Sequence, residues 1–158
     1  MEKVFKTLNT NIKIDLIPYI KEYKEKFPEM EILIGCDSQN RKRETVYAIV
    51  IGLYKPSKGA HVLYSRLITP RVRIEQNTTR LLNEVWYSVE VAELIKNELG
   101  IVATWIDVDI NQDERYKSNQ ALANALGLVK GMGYKVRWKN SPNSNSPMVT
   151  YMCDKLVK

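Results

Sequence analysis

Five carboxylates stand where an element of regular structure should end or present a flank: Asp37, Glu84, Asp107, Asp109 and Asp154. Asp37 follows the apolar run Glu31-Ile32-Leu33-Ile34-Gly35-Cys36, which reads as a buried strand. Such a strand rarely ends on an ionisable group without something to neutralise it, because an unpaired buried carboxylate is costly and binds a cation or takes up a proton instead. Acids converging from the ends of several elements would make an oxygen-rich site suited to Mg²⁺ or Mn²⁺.

Spacing narrows the choice among the acids. At about 100° per residue, Leu81, Leu82, Val85, Trp86, Val89, Ala92 and Ile95 fall on one apolar face of a long helix. Glu84 lies on the margin of that face, Glu93 on the other margin, and Glu90 further round toward solvent. Asp107 and Asp109 share a face if their strand continues, because side chains repeat every two residues. Asp109, nearer the end, is the preferred ligand, with Asp107 as its substitute. Asn111, Gln112, Asp113 and Glu114 are also ordinary helix-start chemistry. Ser38 and Gln39 could contact substrate or metal-bound water, or close the turn after the strand. Cys36 and Cys153 each precede a candidate acid, but on a strand Cys36 must face away from Asp37, which makes it a small core residue. His61, the single histidine, reads as an exposed strand residue without a role. Trp86, Trp105 and Trp138 read as core rather than as stacking platforms.

The elements that must position these residues follow from periodicity and turn residues. An opening helix over 12–27 ends before Pro28. Strands over 31–36, 45–54 and 61–68 are joined by short loops and form an antiparallel meander. A helix over 74–99 is capped by Gly100. A strand over 101–108, a helix over 116–132, a strand over 134–138 and a last helix carrying Asp154 complete the chain. The fold class is α/β. Its expected core is a mixed five-stranded sheet, the meander plus two parallel strands, flanked by helices in a single domain over 1–158.

Composition narrows function. The 158 residues carry a net charge of +6, which favours an anionic partner such as nucleic acid. Basic residues cluster at Arg41, Lys42 and Arg43, and at Arg66, Arg71, Arg73 and Arg80. With 44% hydrophobic residues and no long apolar stretch, a membrane span is not expected, and two cysteines are too few for a secreted disulfide scaffold. A cytoplasmic location is expected. No glycine-rich phosphate loop supports a phosphoryl-transfer domain of the actin-like ATPase kind.

The order of elements and acids resembles the ribonuclease H-like superfamily: one acid on the first strand, one on the helix after the third strand, one at the end of the fourth strand, one on the last helix. Within it the chain looks like the small bacterial group called the YkuK family. That resemblance is carried by Ile34-Gly35-Cys36-Asp37-Ser38-Gln39, Asp109-Ile110-Asn111, Gly127-Leu128-Val129-Lys130-Gly131-Met132-Gly133-Tyr134, Lys139 and Asp154-Lys155-Leu156. It covers about residues 31–158 and leaves the first helix as an addition. The resemblance implies a nuclease for RNA, RNA·DNA hybrid or structured DNA. Asp37 would bridge two Mg²⁺ or Mn²⁺ ions, Glu84 and Asp109 would each help hold one, and Asp154 would complete the second site or assist the activated water. Lys139 would steady a substrate phosphate. The competing class is a non-catalytic nucleic-acid-binding or interaction domain on the same fold.

Overall fold

The structure, a computed structural model, describes residues 3–73, 77–111, 120–139 and 156. Its elements in chain order are β1 (Phe5–Thr7), β2 (Lys13–Ile14), α1 (Leu16–Lys26), β3 (Glu31–Arg41), β4 (Glu44–Lys55), β5 (Gly59–Pro70), α2 (Asn77–Leu99), β6 (Trp105–Asn111), α3 (Gln120–Gly131) and β7 (Val136–Lys139). All the strands join one mixed sheet in the order β2-β1-β5-β4-β3-β6-β7. The expected five-strand sheet is therefore corrected to seven. The meander β3-β4-β5 is antiparallel, and β6 and β7 add to it in parallel. The two additional strands, β1 and β2, have three and two residues, too few for an alternating pattern to register. They extend the sheet beyond β5. The opening helix starts at Leu16 instead of residue 12, because Lys13 and Ile14 are drawn into β2.

Alternation sorts the strand residues into two faces. Ile32, Ile34 and Cys36 of β3, Tyr47, Ile49, Ile51 and Leu53 of β4, and Leu63 and Leu67 of β5 share one apolar cluster. Leu16 and Ile20 of α1, Val85, Val89, Ala92 and Ile95 of α2, and Leu122, Leu126 and Val129 of α3 belong to the same cluster. The three described helices thus pack on one face of the sheet. The opposite face holds a smaller cluster of Leu33 and Val50, with Trp105, Tyr64 and Leu156 packed against it. β4 is buried continuously from Thr45 to Leu53, as a central strand covered on both sides must be. α2 ends at Gly100, whose φ of +69° closes the helix with its N–H donated to the Lys96 carbonyl at 2.8 Å.

Further sequence expectations change here. β3 runs past Asp37 to Arg41 instead of stopping at Cys36, because its ladder with β4 continues to Arg41 with Glu44, and β6 spans Trp105–Asn111 instead of 101–108. Trp86 is 39% exposed, not core, because it sits beyond the edge of the stripe that faces the sheet. His61 is packed against α1 and is not a bare surface residue: its ring stacks on Tyr19 and Tyr23, and its Nε2 lies 2.5 Å from the Tyr19 hydroxyl. Burial, reinforced by the Lys55 cation, lowers the His61 pKa from its ordinary value. Among the described residues no helix is long and apolar enough to cross a membrane.

β6 and β7 are tied by a fully buried ion pair. Arg137 Nε donates to Asp107 Oδ1 at 2.7 Å and Nη2 donates to Oδ2 at 2.9 Å, with both side chains 0% exposed. The guanidinium also lies over the Trp105 ring, 5.2 Å from its centre. Removing one partner strands the other charge in the interior. Asp107→Asn and Arg137→Met should each lower unfolding stability by about 3–5 kcal/mol in urea titrations, whereas Asp107→Leu with Arg137→Met should be far milder. For His61 the depressed pKa favours the neutral ring in the folded state. Its contribution is therefore complete above the unfolded value near about 6.5 and is lost as pH falls through the folded one. Urea midpoints at about pH 7.5 and about pH 5.5 should fall further apart for the wild type than for His61→Gln.

Candidate functional site

Within β3, just past its last pair with β6, alternation sends Asp37 and Ser38 to opposite faces. Asp37 shares its face with Leu33 and Gly35, and is half-buried. Its Oδ1 accepts the Ser38 backbone N–H at 2.8 Å. Ser38 is 7% exposed, on the face covered by α2, and its hydroxyl donates to Glu84 Oε2 at 2.6 Å. Glu84 is itself only 6% exposed. One serine therefore joins two of the expected site acids, one through its amide and the other through its hydroxyl.

α2 supplies a second support. Arg80 sits one helical turn before Glu84, so the two share a helix face. Its Nη1 donates to the Ser38 carbonyl at 3.0 Å and to the Ser38 hydroxyl oxygen at 3.2 Å. Tyr47 lies opposite Ser38 across the β3–β4 ladder, and its hydroxyl accepts from the Asn83 amide at 3.0 Å. Burial pushes the Tyr47 phenol pKa up, against the lowering effect of the Asn83 hydrogen bond, with Tyr87 and Glu84 adding to the rise. Glu84 thus accepts the Ser38 hydroxyl beside a phenol held neutral, which offsets part of the cost of burying a carboxylate.

The remaining expected residues divide as follows. Asp107 is on the same face as Asp37, level with Gly35, but both of its oxygens accept from Arg137. Asp109 lies in β6 one residue past the last β3–β6 pair, Cys36 with Val108, just as Asp37 lies one residue past it on β3. The side chains of Asp109 and Lys139, and all of Asp154 and Cys153, lie outside the described residues. Gln39 is exposed. Glu90 is exposed and bonded to Lys3 at 2.6 Å, while Glu93 accepts the Tyr134 hydroxyl at 3.0 Å. Cys36 is 2% exposed in the helix-side cluster, on the face opposite Asp37. Where α2 and α3 pack on β3 and β6, a crevice of about 10 Å³, about enough for one water molecule, is lined by Cys36, Leu81, Glu84, Val85, Val108 and Leu122 and touches Asp107. Among the described residues no three acidic, histidine or cysteine side chains form a group that could hold a metal ion.

Arg80 and Arg137 were not singled out from sequence as partners of the acids. The spacing of Arg80 to Glu84, one turn on the same helix, was a usable signal. For Arg137 the signal was a cation inside the short strand beside the one that bears Asp107.

Asp37 and Glu84 each offer carboxylate oxygens, the donor type that a hard divalent ion takes, and they meet Ser38 from opposite faces of the sheet. Asp37 lies one residue past the parallel pairing of β3 with β6, on its carboxyl-terminal side, which is the side on which open α/β sheets bind ligands, and Glu84 is joined to the next residue of the strand from α2. A search of curated proteins found no match to the sequence. A family model described as Ribonuclease H-like matches residues 12–158, almost the whole chain, so the protein belongs to the ribonuclease H-like family.

Proposed function

We propose that this chain is a cytoplasmic, divalent-metal-dependent nuclease of the YkuK type that hydrolyses phosphodiester bonds in RNA, RNA·DNA hybrid or structured DNA. The observation that carries the reading is Ser38, whose amide donates to Asp37 and whose hydroxyl donates to Glu84, in a chain of the ribonuclease H-like family. Asp37, Glu84, Asp109 and Asp154 would hold Mg²⁺ or Mn²⁺. When bound, the ions would neutralise the acids and stabilise charge on the attacking and leaving oxygens. Asp109 is preferred over Asp107 because both Asp107 oxygens are engaged by Arg137.

The chain's own groups then have separate tasks. Asp37, half-buried and one residue past the pairing of β3 with β6, would meet the phosphodiester. Ser38 fixes the Glu84 carboxylate, and Arg80 fixes Ser38 from both its carbonyl and its hydroxyl. Held in this way, Glu84 loses little freedom on binding an ion, which is the advantage of a preorganised ligand. Gln39 and Lys139 would contact the substrate backbone.

The test is cleavage of labelled single-stranded RNA, RNA·DNA hybrid, duplex DNA and branched DNA with Mg²⁺ or Mn²⁺. Asp37→Asn should keep the fold and lower the rate on the cleaved substrate by at least about 100-fold, equivalent to about 2.7 kcal/mol of transition-state stabilisation. Ser38→Ala should cost about tenfold and raise the metal concentration needed for half-maximal rate, because Glu84 loses its hydroxyl donor. Salt-sensitive binding without cleavage of any substrate would replace the nuclease by a binding domain on the same fold.

A further inference from the structure

β3 and β4 are joined by a two-residue turn, Lys42-Arg43, and Lys42 adopts φ +48°. Such positions are ordinarily filled by asparagine, aspartate or glycine, which tolerate the left-handed region. Here the turn carries two cations and is preceded by a third, Arg41. Arg71 and Arg73, on the segment leaving β5, lie beside it. Over residues 41–44 and 71–73 Glu44 is the one carboxylate against five cations. Lys42, Arg43, Arg71 and Arg73 are exposed and Arg41 is half-buried.

This cationic end is fixed by hydrogen bonds. The Arg71 N–H donates to the Arg43 carbonyl at 3.0 Å, and Arg71 Nη1 donates to the Lys42 carbonyl at 2.8 Å. The Val72 N–H donates to Thr45 Oγ1 at 2.8 Å, and Asn40 Nδ2 donates to the Val72 carbonyl at 3.1 Å. Thr45 Oγ1 donates in turn to Asn40 Oδ1. The hairpin tip and the exit of β5 are thereby clamped into one platform, so its cations need little further ordering on binding. Arg66 extends the charge toward the site: it is exposed on β5, in the cross-strand row that runs Asp37, Ala48, Arg66.

We infer that this platform binds the phosphate backbone of a double-stranded nucleic acid, about four nucleotides to one side of the phosphate presented to Asp37. The spacing comes from β3 itself: four residues separate Asp37 from Arg41, about 13 Å of strand, and a duplex rises about 3.4 Å per base pair. The preference for a duplex comes from composition. Neither 39–46 nor 66–73 contains an aromatic residue, whereas surfaces for single strands stack bases on aromatic rings. The contacts are to phosphate, so binding is sequence-independent and salt-dependent. The inference rests on the nuclease reading for the position of the cleaved bond; the platform's affinity is measured without cleavage.

The test is anisotropy of a fluorescein-labelled RNA·DNA hybrid of about 20 base pairs, and of duplex DNA and duplex RNA of that length, over a KCl series in EDTA. Lys42→Asn with Arg43→Gln should weaken binding at least about tenfold at low salt and lower the slope of log K against log salt by about two. Asparagine accepts the left-handed turn, so the fold is kept, which circular dichroism verifies. Lys21→Gln with Lys58→Gln removes equal charge from α1 and from the opposite end of the β4–β5 hairpin, and should change neither quantity. An unchanged affinity and slope in the platform variant, or equal weakening in the other pair, overturns the inference. Wild type that binds no duplex overturns it too. Platform-dependent binding in a protein that cleaves nothing upholds the platform and removes the nuclease reading alone. Where cleavage occurs, shortening the duplex to fewer than about four base pairs on one side of the cut should slow it, and equal sensitivity on both sides overturns the spacing.

Discussion

Neighbouring residues on a strand leave on opposite faces, and just past the pairing of β3 with β6 that rule distributes the chemistry. Asp37 goes to the face it shares with Leu33 and Asp107, and Ser38 goes to the face on which the helices pack. α2 reaches β3 through Ser38, with Glu84 and Arg80 closing on its hydroxyl and Arg80 also on its carbonyl. A one-residue slip of β3 against β4 would interchange the two faces, leaving an acid against the helix layer and a serine where the acid belongs. The eleven-pair ladder between β3 and β4, from Glu31 with Tyr54 to Arg41 with Glu44, prevents that slip.

Depth along the strands decides the state of each acid. Asp107 is level with Gly35, inside the sheet, and is neutralised by a guanidinium from the next strand. Asp37 stands one alternation further toward the strand end, half-buried and held by a backbone amide. The same residue type on the same face thus serves the interior in one place and the opening in the other. Buried charge is tolerable at Asp107 because both oxygens meet a planar fork, and hydrogen-bonded ion pairs of that geometry are the ones that survive desolvation.

Much of this was legible from sequence where the period was long enough. The meander, the long helix and its glycine cap, and the placement of Cys36 on the face opposite Asp37 all follow from alternation and helical spacing over many residues. β1 and β2 were missed because strands of three and two residues are defined by pairing partners distant in sequence, and no local pattern encodes that. Glu84 was identified as a helix-margin acid, but its burial depends on Ser38, Arg80 and a neighbouring tyrosine arriving from β3, α2 and β4. His61 was read as bare surface because Tyr19 and Tyr23, which cover it, are some 40 residues away in the chain. Arg137 had no reading from sequence, because its partner Asp107 is 30 residues away and meets it only when β7 pairs with β6.

The two modes of strand pairing have consequences for the order in which the chain assembles. β3, β4 and β5 follow one another through short turns, so their ladders close with little loss of chain entropy. β6 can join β3 in parallel only after the intervening β4, β5 and the 23-residue α2 have been accommodated, and β7 must then dock on β6. The meander is therefore the natural folding nucleus, and Asp37 is delivered early on a strand whose acidic neighbourhood is still unbuilt. The interior ion pair forms late, so losing it should hasten unfolding more than it slows folding.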